Sequence, residues 1–227
     1  AFSLHNRSGG AAALGIGVRI PNRYWIAGQW VNAAGTPFTD DTTDAQDTGA
    51  SDFALETTTD NDGFVIASRV PFNAFSMNVG TASVGGAPVR AVRYTNSAGD
   101  GWTDFANLFV QDAASGQYAT GEQIVVCASP VDFGQVQAGG LSGIPAGYYA
   151  INVRATTAPT TTAGLATTIE IFKLYLGTEA IADNGVLESP AAMSWIKMQP
   201  EGDALVALFS GTANNQNRAS AQVRLTS

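Results

Sequence analysis

Short apolar runs separated by clusters of turn residues are the feature that most constrains the fold of this chain. The runs are rich in Val, Ile, Tyr, Phe and Thr, and turn clusters such as DNDG (60–63) and NSAGDG (96–101) lie between them. They predict strands at 15–20, 24–31, 63–70, 88–94, 123–129, 148–156, 168–176, 193–198, 204–210 and 221–227. Strands at this spacing predict an all-β, antiparallel sandwich or barrel with little helix. Only 11–15 and 102–114 could tolerate a short helix.

The predicted strands suggest three regions along the chain. Residues 1–14, small and rich in Gly and Ala, are predicted to be an N-terminal arm. Residues 15–95 are predicted to form an N-terminal β-region, and residues 96–227 a β-sandwich. The N-terminal β-region is either a separate domain packed on the second or part of one shared sandwich.

Charge is scarce and unevenly placed in this chain. Charged residues make up 13% of the 227 residues, against about 25% in an average soluble domain. The apolar fraction of 45% still favours a folded chain. The net charge of −8 and the scattered cations argue against nucleic-acid binding. The sequence contains no apolar run of about 20 residues, so no membrane-spanning segment is predicted. The first residues lack the pattern of a signal peptide.

Cys127 and His5 are the single cysteine and the single histidine of the sequence. One cysteine allows no disulfide within the chain, and its apolar run, EQIVVCASP, predicts a small core residue. One histidine and one cysteine argue against a zinc site and a Ser-His-Asp triad. We therefore expect no enzymatic activity and no cofactor.

The segment 36–62 holds eight acidic residues and no basic one. Carboxylates are the ligands that calcium prefers, so the segment offers weak calcium candidates. These are Asp40, Asp41, Asp44, Asp47, Asp60 and Asp62. The complete calcium-loop pattern is missing. A solvated acidic loop or an edge strand, followed by a hairpin turn at 60–63, is the preferred interpretation.

Three tryptophans are weak candidates for stacking on a sugar ring: Trp25, Trp30 and Trp102. Trp102 lies close in sequence to the carboxylates Asp100, Asp104 and Asp112, a pair of which could in principle serve glycoside hydrolysis. Trp25 and Trp30 lie five residues apart, so on a regular strand they point to opposite faces. A core position is the preferred interpretation for Trp102 and for at least one of Trp25 and Trp30, and Asp100-Gly101 is typical of a turn.

Two predicted strands differ in their alternation. In 168–176 both faces carry apolar residues, so a second sheet or another subunit is expected to cover them. In 148–156, Tyr149, Ile151 and Val153 alternate with more polar residues, which predicts a half-buried strand.

The segments GIPAGYYAINVRATTAP (143–159), TIEIFKLYLGTEAIADNG (168–185) and QPEGDALVALFSG (199–211) carry a first resemblance. They resemble the C-terminal half of jelly-roll domains of the complement-C1q and tumour-necrosis-factor type. The matching features are Gly147-Tyr148-Tyr149, a turn at Gly177, and Gly202-Asp203 before 204–209. The resemblance covers about the last 85 residues and implies that the sandwich predicted for residues 96–227 is jelly-roll-like.

The segments RYTNSAGDGWTDF (93–105) and CASPVDFGQ (127–135), with YYAINVRATTAP, carry a second resemblance. In composition they are similar to β-sandwich head-decoration and fibre proteins of tailed phages. This resemblance implies a capsid decoration or surface protein of the virion, made in the host cytoplasm. Its partners would be capsid subunits and further copies of itself, as in the homotrimers common among such proteins. The scarcity of charge fits a surface covered by other protein.

Two other functions remain open at this point. A carbohydrate-binding or receptor-binding fibre domain would use exposed Trp, Tyr and Asp residues in loops. A major capsid protein with a single jelly roll is a third interpretation, although capsids of small plus-strand viruses usually carry a basic arm that this chain lacks.

Overall fold

The computed structural model describes residues 2–5, 12–50, 52–105, 108–110, 118–127, 130–181, 186–188, 204–209 and 218–221. Within these ranges the strands are β1 Phe2–His5, β2 Ala12–Arg19, β3 Trp25–Trp30, β4 Phe38–Asp40, β5 Phe53–Ala54, β6 Gly63–Ser68, β7 Ala74–Thr81, β8 Val89–Thr95, β9 Trp102–Asp104, β10 Leu108–Val110, β11 Gly121–Cys127, β12 Tyr149–Thr157, β13 Leu165–Ile181, β14 Val186–Glu188, β15 Ala204–Phe209 and β16 Arg218–Ala221. The described helical elements are a 3-10 turn, Asn22–Tyr24, and the short helix α1, Thr42–Gln46. The prediction of an all-β chain with little helix is confirmed.

The chain forms two compact units, and the boundary between them lies inside β13. One unit comprises residues 1–19 and 172–227. There, β2 pairs antiparallel with the second part of β13 and with β15. In the same unit β1 pairs antiparallel with β14 and β16.

The other unit, residues 20–171, is an antiparallel β-sandwich. Its first sheet has the strand order β4-β3-β6-β12-β8-β9. Its second sheet contains β10, β11, β7 and the first part of β13, with β5 paired to β13. Because side chains alternate across a strand, Phe64 and Ile66 of the first sheet meet Phe75 and Met77 of the second in one core. The predicted β-sandwich is confirmed, while its jelly-roll connectivity stays a prediction.

Strands from both sides of residue 95 share the first sheet, since β12 pairs with β6 and with β8. Toward the chain start, β1 is itself a paired strand and β2 begins at Ala12. Strands of the predicted regions 15–95 and 96–227 therefore lie side by side in the first sheet, and β1 of the predicted arm 1–14 pairs with strands of the region 96–227.

The outer face of the first sheet is covered by the segment that follows β11. Val136, Leu141 and Ile144 of this segment pack against Trp30, Phe38, Val65, Ala67 and Ala150. Ala150 and Asn152 on this face of β12 are therefore fully buried. The prediction that β12 is half-buried is wrong, because the segment that leads into β12 folds over the face that carries the more polar residues.

Local patterns predicted eight of the strands, namely β2, β3, β6, β8, β11, β12, β13 and β15. The predicted strand 193–198 and most of 221–227 lie outside the described residues. The described residues of 11–15 and 102–114 form no helix, since all of them except Phe105 lie in strands β2, β9 and β10. The turn expected at Gly177 is also absent, because β13 continues through Gly177, which pairs with Gly15.

Candidate functional site and interaction surfaces

Trp25 and Trp30 lie at the two ends of β3 and point to opposite faces of the first sheet. Trp25 belongs to the core between the sheets and is 2% exposed. Trp30 belongs to the cluster on the outer face and is 5% exposed. The expected opposite orientation and the core interpretation are confirmed, and neither ring has a face open for a sugar.

Trp102, on the edge strand β9, is half-buried and packs against the outer-face cluster. Its ring centre lies 5.3 Å from that of Trp30, with the ring planes at 85°. The guanidinium carbon of Arg93 lies 5.3 Å from the centre of the Trp102 ring. Trp102 is therefore the most exposed of the three candidate tryptophans, but it is anchored by aromatic and cation–π contacts.

Arg93 is a half-buried cation beside this cluster. Its Nε donates a hydrogen bond to Asn152 Oδ1 at 2.7 Å. Burial, with a smaller contribution from the charge of Arg154, lowers the pKa of Arg93 to about 10. Asp104 acts in the opposite direction and lies opposite Arg93 in the strand register.

The carboxylates near Trp102 have separate local surroundings. Asp100 lies in the turn between β8 and β9, where Asn96 Oδ1 accepts hydrogen bonds from the N–H groups of Gly99 and Asp100. The turn interpretation of Asp100-Gly101 is therefore confirmed. Asp104 is exposed on β9 and shares the face of Trp102. Asp112 lies outside the described residues.

Asp60 and Asp62 are engaged by the protein around a tight turn. Asp60 Oδ1 accepts from the N–H of Ala158, and Asp62 Oδ1 accepts from the N–H of Asn32. Between them Asn61 has φ of 69°, as expected for Asn in a turn. This turn is not the expected hairpin, because β5 pairs with β13 while β6 pairs with β3 and β12.

The remaining calcium candidates surround α1. Asp40 ends the edge strand β4 and its Oδ1 accepts from the N–H of Thr42, while Asp47 Oδ1 accepts from the N–H of Gly49. Burial and the carboxylates of Asp44, Asp52 and Asp40 raise the pKa of Asp41 to about 6. Among the described residues, no group of three or more His, Cys, Asp or Glu side chains is arranged to hold a metal ion.

A buried polar network ties several loops of the sandwich together. Arg90 Nη2 donates to Glu56 Oε2 at 2.7 Å and to Ser83 Oγ at 3.3 Å. The Arg90 guanidinium also stacks on the ring of the buried Tyr118. Glu56 Oε1 accepts from the N–H of Gly164. The members of this network bond one another, which indicates a structural role. No local sequence pattern predicted the network, because its residues lie far apart in the chain.

Cys127 is 1% exposed and belongs to the core of the sandwich, as predicted. Burial raises the pKa of its thiol, which disfavours the reactive thiolate. His5 lies in β1, opposite Val186 and Arg218 in the strand register.

At one end of the sandwich, two adjacent segments present exposed apolar and threonine residues and contain no charged residue of their own. We call it the charge-free end and define it as residues 82–89 and 157–162, which include no Asp, Glu, Lys or Arg. Val84 is 50% exposed and Val89 is 55% exposed. The two segments are held together by backbone hydrogen bonds between Val84 and residues Thr161 and Thr162.

The other end of the first sheet presents an oriented arginine. Arg69 Nε donates to the Tyr148 hydroxyl at 3.0 Å, and its guanidinium carbon lies 5.5 Å from the ring centre. Tyr24 and Val70, which are 37% and 39% exposed, flank this arginine. We call these four residues, Tyr24, Arg69, Val70 and Tyr148, the Arg69 end.

No protein-family model matches this sequence, and no curated protein or solved structure matches it significantly. In the part of the chain that the structure describes, no helix is both long and apolar enough to cross a membrane.

Proposed function

We propose that this chain is a non-enzymatic structural protein of a virion, a capsid decoration or surface protein that stabilises the shell through subunit contacts. The observation that carries the proposal is the charge-free end. Its exposed valines lie in two segments that contain no charged residue, and charged residues are likewise depleted at the cores of protein interfaces. The charged side chains Arg90 and Asp60 lie at its border, bonded to Ser83 and Ala158.

The construction of the charge-free end favours a binding surface over a solvated loop. Val84 is bonded through its backbone to Thr161 and Thr162, so its exposed side chain is held on a paired segment. Thr156 Oγ1 adds a hydrogen bond to the carbonyl of Val89. A rigid apolar surface loses little conformational entropy when it binds. Binding that favours the assembled shell stabilises that shell by mass action.

The proposal can be tested on capsids of the virus that encodes the chain. The double variant Val84→Asp, Val89→Asp places two charges on the charge-free end and should lose most particle binding in a co-sedimentation assay. Val131→Asp is the matched control, because Val131 is 106% exposed and lies in another loop. Thermal unfolding should show that both variants fold. Equal binding by the unchanged chain, the double variant and the control would refute the role of this surface.

A glycan-binding function is a second candidate, supported by one observation. Trp102 is half-buried on an edge strand, and the exposed Asp104 lies on the same face. A ring face beside a carboxylate can bind a sugar by stacking and hydrogen bonding. A glycan array with the unchanged chain and Trp102→Ala would test it, and an array without any hit would count against this candidate.

A further inference from the structure

The Arg69 end carries a cation that is oriented but lacks an anionic partner. Tyr148 occupies Nε of Arg69 and stacks beneath the guanidinium. Within the described ranges, the two Nη nitrogens have no hydrogen-bond partner and no ion pair. A guanidinium whose orientation is fixed in this way suits two-point recognition of a carboxylate. The surface is thus prepared for an acidic partner.

Helix α1, which several carboxylates surround, lies next to the other side of the turn Asn22–Tyr24. The N–H of Arg69 donates to the carbonyl of Tyr24 at 3.0 Å. On the other side, Gln46 Nε2 of α1 donates to the carbonyls of Asn22 and Trp25 at 2.9 and 3.2 Å. Helix α1 and the oriented arginine therefore both border the turn Asn22–Tyr24.

The carboxylates around α1 repel one another. We call Asp40, Asp41, Asp44 and Asp52 the acidic cluster. Its crowding contributes to the raised pKa of Asp41. The neighbouring cation Arg23 lies on Tyr24, where its Nη2 donates to the Tyr24 hydroxyl at 3.3 Å. An external cation would relieve this repulsion.

We propose that the Arg69 end binds a second copy of this chain, with Arg69 of each copy facing the acidic cluster of the other. A two-fold interface uses the same surface on both subunits, so it must be self-complementary. A surface with an unpaired arginine on one side of Tyr24 and crowded carboxylates on the other meets this requirement. Val70 supplies an apolar side chain at the centre, beside the Tyr24 ring, whose centre lies 4.9 Å from the guanidinium carbon of Arg23.

This contact specifies the self-association that the proposed function expects, but its test uses purified protein alone. Failure of self-association would therefore leave the particle-binding result unaffected. Because the contact depends on exposed charges, it should weaken as salt rises from 0.05 M to 1 M.

Sedimentation velocity over a concentration series tests the contact. The unchanged chain should form dimers, and Arg69→Glu or Asp52→Arg should each lower the association constant at least about tenfold, because like charges then face each other. An equimolar mixture of the two variants should recover heterodimers, and the double variant should recover homodimers. Tyr148→Phe, which frees Arg69 Nε, should weaken the dimer less.

Glu122→Arg is the matched control, because it makes the same charge change as Asp52→Arg at an exposed position on β11. It should leave association unchanged, and thermal unfolding should confirm that each variant folds. A monomeric unchanged chain at all concentrations would overturn the proposal. So would a dimer that Arg69→Glu leaves intact, or a charge swap that recovers nothing.

Discussion

The guanidinium carbon of Arg90 lies 3.7 Å from the centre of the Tyr118 ring. This stacking accompanies the ion pair of Arg90 with Glu56, whose side chain is 1% exposed. An ion pair in such a place contributes little over an apolar pair, but removing one partner leaves the other charge buried. The network therefore makes the loops around Tyr118 sensitive to a single substitution.

Arg90→Ala should lower the free energy of unfolding by about 3 kcal/mol, because it leaves Glu56 buried without its cation. Urea denaturation followed by tryptophan fluorescence measures the change. Arg69→Ala is the control, since Arg69 is exposed and its removal should change stability by less than about 1 kcal/mol. A loss that is equal in the two variants would show that the buried pair has no special role.

Gly99, in the turn between β8 and β9, and Gly139, in the segment between β11 and β12, are a matched pair for testing the cost of a side chain at positive φ. Both have positive φ, 77° and 75°. A Cβ on Gly99 would lie 2.2 Å from the carbonyl oxygen of Gln135, whereas one on Gly139 would meet nothing within 4 Å. Gly139→Ala should cost about 1 kcal/mol for the backbone conformation alone. Gly99→Ala should cost about 3 kcal/mol, because overpacking is added. Equal midpoints in urea would contradict this difference.

Cys127 should be unreactive in the folded chain. Its side chain is 1% exposed, and burial raises the pKa of the thiol. A thiol reagent such as Ellman's reagent should therefore release no colour from the native chain at pH 8 and one equivalent in 6 M guanidinium. Rapid reaction of the native chain would mean that β11 opens easily. Cys127→Ser should fold but be less stable, because it places a hydroxyl in the core.

Sequence patterns predicted the strands well where alternation and β-branched residues agree, as in β6 and β13. Strand β7 was missed although Phe75, Met77 and Val79 alternate, because Ser76, Asn78 and Gly80 lower the β-propensity between them. The opposite orientations of Trp25 and Trp30 followed from strand geometry alone.

Contacts between residues that are far apart in the sequence could not be predicted from local patterns. The burial of Asn152 depends on contacts formed by distant parts of the chain: Arg93 donates to its Oδ1, and its Nδ2 donates to the carbonyl of Phe64. The partners of Asp60 and Asp62 likewise come from 98 and 30 residues away in sequence. An acidic motif that looks like metal ligands can therefore serve to hold loops, and only the fold distinguishes the two.

Asp41 should make the chain more stable at mildly acidic pH than at neutral pH. Its pKa rises from 3.8 to about 6, mainly through burial and then through the neighbouring carboxylates. The folded chain therefore holds this proton more tightly than the unfolded chain. The associated stability is fully present below pH 3.8 and is lost as pH rises through about 6. Asp41→Asn should remove this loss and stabilise the chain at pH 7.5 by about 1 kcal/mol, a value already reduced for solvent screening.

Thermal unfolding of both chains at pH 4.5 and pH 7.5 measures the effect. The advantage of Asp41→Asn should be small at pH 4.5, where the native carboxyl is protonated in the folded chain, and larger at pH 7.5. Repeating the pH 7.5 measurement in 1 M salt should reduce only part of the advantage, because salt screens the carboxylate repulsion but leaves the cost of burial. An advantage of the same size at both pH values would contradict the assignment of the shift to Asp41.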